Sequence, residues 1–156
     1  MSRKKISKKK LIKPDSVYNS TMISKIINKM MKKGKKSLSE KILYNTMEKI
    51  KVVKNQDPIE IIKKSIENIK PKVELKSRRI GGATYQIPIE ITEDRGISLA
   101  IKILVKCARS RNEKTMTSKL QNEIIDAYNN IGNSIKKKEE IHKMAEANKA
   151  FSSMKL

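Results

Sequence analysis

A mainly α-helical domain interrupted by one β-hairpin is the fold class that this sequence predicts. Three observations carry the prediction. Apolar residues recur at helical spacing in five or six separate segments, the period switches to two between about residues 73 and 91, and glycine and proline punctuate the switches.

The segment 19–33 places Ile23, Ile26, Ile27, Met30 and Met31 on one helical face, with Gly34 where a C-cap glycine belongs. Ser37-Leu38-Ser39-Glu40 reads as a capping box that opens a second helix to about Val52, with Leu43, Met47 and Ile50 facing in. Asp57-Pro58-Ile59-Glu60 is a third start signal. Asp57 can cap, Pro58 suits the first turn, and Glu60 favours the positive end of the helix dipole. Ile59, Ile62, Ile66 and Ile69 form the stripe that follows, and Pro71 ends it. Val73 and Leu75, then Tyr85, Ile87, Ile89 and Ile91, alternate around Gly81-Gly82, which predicts a hairpin with those residues on one apolar face. Pro88 is tolerated because both strands of a two-stranded ribbon are edges. Helical period returns at 95–109 (Ile97, Ala100, Ile101, Leu104, Val105, Ala108), again at 115–130 (Met116, Leu120, Ile124, Ala127), and from Ser134, read as a cap, to about Phe151 (Ile141, Met144, Ala145). The expected organisation is a basic arm over 1–18 and a single helical domain over 19–156, with the ribbon at about 73–91 between the third and fourth of six helices.

Charge sets the functional direction. The 156 residues carry 37 Lys and Arg against 16 Asp and Glu, a formal net charge of +21. Folding a small domain asks for no such excess, because self-repulsion opposes compaction, so a polyanion is the first partner to consider. No run approaches the roughly 18 apolar residues of a membrane span, so no membrane partner is expected, and the N-terminus reads Met-Ser-Arg-Lys-Lys without the apolar run of a secretory signal. One cysteine, Cys107, excludes an intrachain disulfide and a cysteine zinc site. Cys107 lies next to an apolar stripe and reads as a small core residue. The single histidine, His142, has Glu139 and Glu146 at helical spacing and reads as a surface histidine in an ion-pair ladder rather than a general base. Gly81-Gly82 lacks the strand–turn–helix context of a phosphate loop. No catalytic residue, metal site or cofactor is expected.

The basic residues form four groups on unlike structures. The arm contributes Arg3, Lys4, Lys5, Lys8, Lys9, Lys10 and Lys13, and the first helix junction Lys29, Lys32, Lys33, Lys35 and Lys36. The ribbon contributes Lys70, Lys72, Lys76, Arg78 and Arg79, and the fourth helix with its exit adds Lys102, Lys106, Arg109, Arg111 and Lys114. The plainer alternative is a set of solvated lysine-rich faces, which fits Lys136 to Lys138. A ribbon on a basic body also matches an architectural DNA-binding protein of a nucleoid, yet no dimerisation element is visible. Several dissimilar contact surfaces suit an irregular folded RNA better than a regular duplex.

Three stretches then carry a resemblance. They are Gly34-Lys35-Lys36-Ser37, the run from Val73 to Pro88 through Ser77-Arg78-Arg79-Ile80-Gly81-Gly82, and Lys136 to Phe151 through His142-Lys143-Met144-Ala145-Glu146-Ala147-Asn148. Together and in order they resemble the signatures of small-subunit ribosomal protein seven, of bacterial and organellar type, over essentially the whole chain. The resemblance implies six helices with a β-ribbon and binding to the 3′ major domain of the small-subunit rRNA. It further implies an early role in assembling the subunit's head, and a ribbon near the exit-site tRNA and the mRNA exit. Its implied neighbours are small-subunit ribosomal proteins nine, eleven and thirteen. As rRNA contacts it implies the arm lysines with Arg3, then Lys35, Lys36, Lys76, Arg78, Arg79, Arg109, Arg111 and Lys114. The basic edge Lys102 and Lys106 joins this set. The sequence departs from the family pattern at Thr92-Glu93-Asp94-Arg95, where Arg95 is the one candidate contact, and at Ser152 to Leu156, where an aromatic, basic terminus is usual. The chain has 24 Ile against 8 Leu and 31 Lys against 6 Arg, a skew toward A/T-rich codons. The Lys-Lys-Glu-Glu run and the absence of a transit peptide look most like a plastid (chloroplast-type) member, the alternative being the cytoplasm of an AT-rich bacterium.

Overall fold

The computed structural model describes residues 12–150. The arm residues Arg3 to Lys10 and the terminal stretch from Phe151 lie outside them. Within the described residues the chain forms α1 (Thr21–Met30), α2 (Lys36–Lys54), α3 (Pro58–Ile69), β1 (Val73–Ile80), β2 (Ala83–Glu90), α4 (Glu93–Ser110), α5 (Met116–Tyr128) and α6 (Asn133–Ala147). The predicted fold class holds: six helices, with one antiparallel hairpin between the third and fourth.

The helical stripes meet around α5, which packs against α2, α3, α4 and α6, while α1 closes over α2 and α4. Ile23, Ile26 and Ile27 of α1, Leu43, Met47 and Ile50 of α2, Ile62, Ile66 and Ile69 of α3, Leu104 of α4, and Leu120 and Ile124 of α5 are all buried. Each such side chain contributes about 1.5–3 kcal/mol relative to exposure, so an aliphatic core needs no large aromatic residue. Asp57 caps α3 as predicted: its carboxylate accepts from the Ile59 N–H at 3.0 Å, with Pro58 opening the helix.

Other local expectations change. Ser37 is not a cap; the N-cap position of α2 lies two residues earlier, at Lys35, and Glu40 pairs with Lys36 at 3.3 Å instead. Gly34 does not cap α1, which stops at Met30; with Lys33 it makes a left-handed turn (φ +52° and +74°) that reverses the chain into α2. Ser134 lies inside α6, whose N-cap position is Gly132. The N-terminal cap of α6 comes from another helix, since Glu123 of α5 accepts from the Ser134 N–H at 2.9 Å and from its hydroxyl. Gly132 has φ +93°, and a Cβ there would stand 2.9 Å from Asp126 Cβ. Met144, expected to face in, is 45% exposed, because α6 buries only Ile135 and Ala145 among its larger and smaller apolar residues.

The hairpin register also differs from a single apolar face. Gly81 and Gly82 (φ +56° and +89°) make a two-residue turn of the kind hairpins favour. Val73 opposes Glu90, Leu75 opposes Pro88, and Lys76 opposes Ile87. Opposed residues share a face and successive residues alternate. Val73 and Leu75 therefore lie on one face, and Tyr85, Ile87 and Ile89 on the other. Any two-residue turn forces this offset, because odd-numbered positions of one strand then oppose even-numbered positions of the other.

Candidate nucleic-acid interface

Two segments far apart in sequence build the first basic surface. The turn after α1 exposes Lys32, Lys33, Lys35 and Lys36. Arg109, near the end of α4, reaches the same place and donates from a guanidinium nitrogen to the Met30 carbonyl at 2.7 Å. That contact satisfies a terminal carbonyl of α1 and fixes the guanidinium. Between them lies an open cleft of about 360 Å³, floored by Leu38, Ile42 and Met116 and rimmed by Lys32, Lys33, Lys35 and Arg109. Sequence reading grouped the lysines but missed the apolar floor. Its only signal was Leu38, which falls off the α2 stripe and is 53% exposed.

Lys102 and Lys106 are exposed along α4, and Lys114 is exposed in the link to α5. Lys76, Arg78 and Arg79 are exposed on the outer half of the hairpin, beside the Gly81–Gly82 turn. No described carboxylate forms an ion pair with Lys76 or Arg79, whose nearest acid along β1, Glu74, is engaged elsewhere.

Two of the candidate arginines are engaged by carboxylates of the protein itself. Arg111 pairs with Glu113 at 2.9 Å, Glu123 at 2.7 Å and Asp126 at 2.8 Å. Its side chain is 20% exposed and that of Glu123 is wholly buried. Burial opposes the guanidinium charge, but the hydrogen bonds to Glu123, Glu113 and Asp126 outweigh it and raise the pKa. In return, hydrogen bonds from Asn122 and Arg111 hold the Glu113 carboxyl down to about 2. Arg95 forks onto Glu74 at 2.9 and 2.6 Å, and that bond holds Glu74 below the usual carboxylate range. The neighbouring acids at the start of α4 are paired too, Glu93 with Lys70 at 3.2 Å and Asp94 with Lys25 at 3.6 Å. The departure at 92–95 thus forms a set of struts joining α4 to β1, α3 and α1.

Residues 12–18 are tied to the body through Asp15. It is buried, accepts from the Val17 and Tyr18 N–H groups, and accepts from the Tyr44 hydroxyl at 2.7 Å. Burial together with that bond pushes Tyr44 up to about 12.

The remaining reactive groups have structural surroundings. Cys107 is buried, which pushes its thiol up. His142 accepts at Nε2 from the Lys72 N–H at 3.2 Å, so it joins α6 to the hairpin root rather than standing in a carboxylate ladder. Among the described residues no three His, Cys, Asp or Glu are grouped to hold a metal ion, and no helix is long and apolar enough to cross a membrane.

The family model described as ribosomal protein S7p/S5e matches residues 2–149. The small ribosomal subunit protein uS7c of Euglena gracilis is 53% identical over 155 residues, 99% of each chain. The uS7 proteins of Mycoplasma mycoides and Thermodesulfovibrio yellowstonii are each 54% identical, over 96% and 97% of both chains respectively.

Proposed function

The chain belongs to the ribosomal protein S7p/S5e family, and from that premise we propose that it binds the 3′ major domain of small-subunit rRNA and helps nucleate assembly of the subunit's head. Its relatives are named small ribosomal subunit proteins, which makes it a structural ribosomal component and not an enzyme. The finer reading has the hairpin near the exit-site tRNA and the mRNA exit, with ribosomal proteins nine, eleven and thirteen as neighbours. A plastid ribosome is the proposed setting, supported by the likeness to the Euglena protein and by the Ile and Lys usage.

The observation that carries the RNA reading is the distribution, over dissimilar surfaces, of cations that pair with no described carboxylate. Lys32, Lys33 and Lys35 rim a cleft, Lys102 and Lys106 line a helix edge, and Lys76 and Arg79 stand on a ribbon, all exposed. Such a set matches phosphates at irregular positions, as folded RNA offers them, better than the regular spacing of a duplex.

Binding of the full chain to a 3′ major domain rRNA fragment, against duplex DNA and unrelated RNA of equal length, tests this. Preference for the fragment is expected. With roughly six to ten phosphates neutralised, affinity should fall by about three to five decades between 50 and 200 mM salt. Equal affinity for the DNA would favour a nucleoid protein, and a flat salt dependence would contradict phosphate binding. Absence of the chain from plastid small subunits after fractionation would contradict the setting alone.

A further inference from the structure

The root of the ribbon is held differently on its two faces. Glu74, Ile87 and Ile89 share one face. There Ile87 is buried, and Glu74 is forked to Arg95 of α4 at 2.9 and 2.6 Å. The other face carries Val73, Pro88 and Glu90, which look across an open cleft of about 410 Å³ to His142 and Ala145 of α6. One hydrogen bond bridges the two sides: the Lys72 N–H donates to His142 Nε2 at 3.2 Å. The Lys72 carbonyl in turn accepts from the Ile91 N–H at 3.4 Å, so the residue that His142 holds is joined to both strands.

His142 can accept at Nε2 only as the neutral imidazole with its proton on Nδ1; an imidazolium donates from both nitrogens and repels the Lys72 N–H. Imidazole is the side chain whose charge ordinarily changes between about pH 5 and 8. The surrounding charges are mixed. α6 supplies Glu139, Glu146 and Lys149, the entry to β1 supplies Lys72, and β2 supplies Glu90. Lys70, at the end of α3, is held by Glu93 at 3.2 Å, and Lys138 of α6 by the Asn68 carbonyl of α3 at 2.7 Å. The Glu74–Arg95 fork persists through the same pH range, because the guanidinium stays charged and Glu74 is held below the usual carboxylate range. Of the two ties, the one across the cleft is therefore the one that a proton can break.

We propose that His142 is a positioning residue for RNA binding: its neutral Nε2 fixes the angle of the ribbon on the body, and protonation there frees the ribbon to pivot into the cleft beside α6. The RNA part of this rests on the reading above; the tie and its release do not. Leverage makes the angle matter. β1 has eight residues, so at about 3.4 Å each the ribbon reaches roughly 27 Å from its root, and a pivot of about 10° there carries the tip roughly 5 Å. That displacement exceeds the length of any hydrogen bond to a phosphate. The cations along the ribbon meet their phosphates in register only while the tie holds.

The test uses the full chain as wild type, as His142→Gln, whose amide oxygen is an acceptor that does not titrate, and as His142→Leu, which has no acceptor. Solvent-exchange NMR reads the protection of the Lys72 N–H, and residual dipolar couplings read the orientation of the ribbon against the helices. On going from pH 8 to pH 5 the wild type should lose about tenfold in Lys72 protection, the scale of one hydrogen bond, and its ribbon should reorient. His142→Gln should keep both at either pH, and His142→Leu should lack both throughout. At pH 7.5 and fixed salt, His142→Leu should bind the 3′ major domain rRNA fragment several-fold more weakly, with His142→Gln restoring the wild-type value. Lys72 protection that is equal at pH 5 and pH 8 in the wild type would overturn the tie, whether or not His142→Leu folds. A reoriented ribbon with unchanged affinity would overturn the positioning role. Failure of the wild type itself to bind the fragment would overturn the rRNA reading, while the exchange data would still decide the tie.

Discussion

The junction of α4, α5 and α6 and the tip of the hairpin are both built around arginine, and they use it for opposite ends. At the junction, Arg111 meets three carboxylates within 2.9 Å, one of them fully buried. At the tip, Arg79 is exposed and no described carboxylate pairs with it. The difference lies in where the acids fall. Glu113, Glu123 and Asp126 neutralise the junction, and Glu123 also caps α6 through the Ser134 N–H. A net charge of +21 thus overstates how evenly the cations are available. Arg95, Arg109 and Arg111 are bonded to groups of the protein itself, whereas Lys32, Lys33, Lys35, Lys76 and Arg79 are exposed and form no ion pair with a described carboxylate.

The largest effect should come from the junction. Arg111→Ala leaves the Glu123 carboxylate buried without its partner, which costs about 3–5 kcal/mol of folding stability. Arg79→Ala should fall within about 0.5 kcal/mol of wild type, as surface changes do. Urea unfolding of both variants reads this directly, and equal losses would erase the distinction.

A smaller effect concerns binding at the tip. Arg78→Lys/Arg79→Lys keeps the charge but gives up planar, bidentate contact. Affinity for the rRNA fragment at fixed salt should weaken by about 1–3 kcal/mol, the scale of a stacking contact. The control is Lys9→Arg/Lys10→Arg in the arm. Wild-type affinity in the tip variant would show that those arginines act as charge alone.

What was legible in the sequence follows from range. Ile23, Ile26 and Ile27, or Ile62, Ile66 and Ile69, declare a buried face through spacing that a helix fixes locally. Asp57-Pro58 declares a cap for the same reason. Gly81-Gly82 between alternating runs declares a hairpin, and its register was computable from the turn length, yet alternation alone put Val73 and Tyr85 on one face. The junction was not legible. Arg111 finds Glu123 and Asp126 across a turn between helices, and Ser134 finds its acceptor on another element, so nothing in the local sequence sets these partners apart from solvated charges. Resemblance to the family identified the chain as a whole, but it could not sort Arg111 from Arg79.

A further, smaller effect is pH dependence at the junction. The Glu113 carboxyl is held at about 2 in the folded chain, below its ordinary 4.5. A depressed carboxyl stabilises when ionised. Its contribution is present above about pH 4.5 and is lost as pH falls toward about 2. Thermal midpoints across that window should fall more steeply for wild type than for Glu113→Gln. Parallel curves would show that Glu113 takes no part in the network.

The contrast between the two regions is tested most directly by the salt dependence of rRNA-fragment binding. Each phosphate-contacting cation removed should lower the log–log slope by about 1. Arg79→Gln should do so, whereas Arg111→Met, measured where circular dichroism shows it folded, should leave the slope at its wild-type value although it removes the same formal charge. A slope lowered equally by both substitutions would contradict the account, because Arg111 would then be neutralising phosphate rather than Glu123.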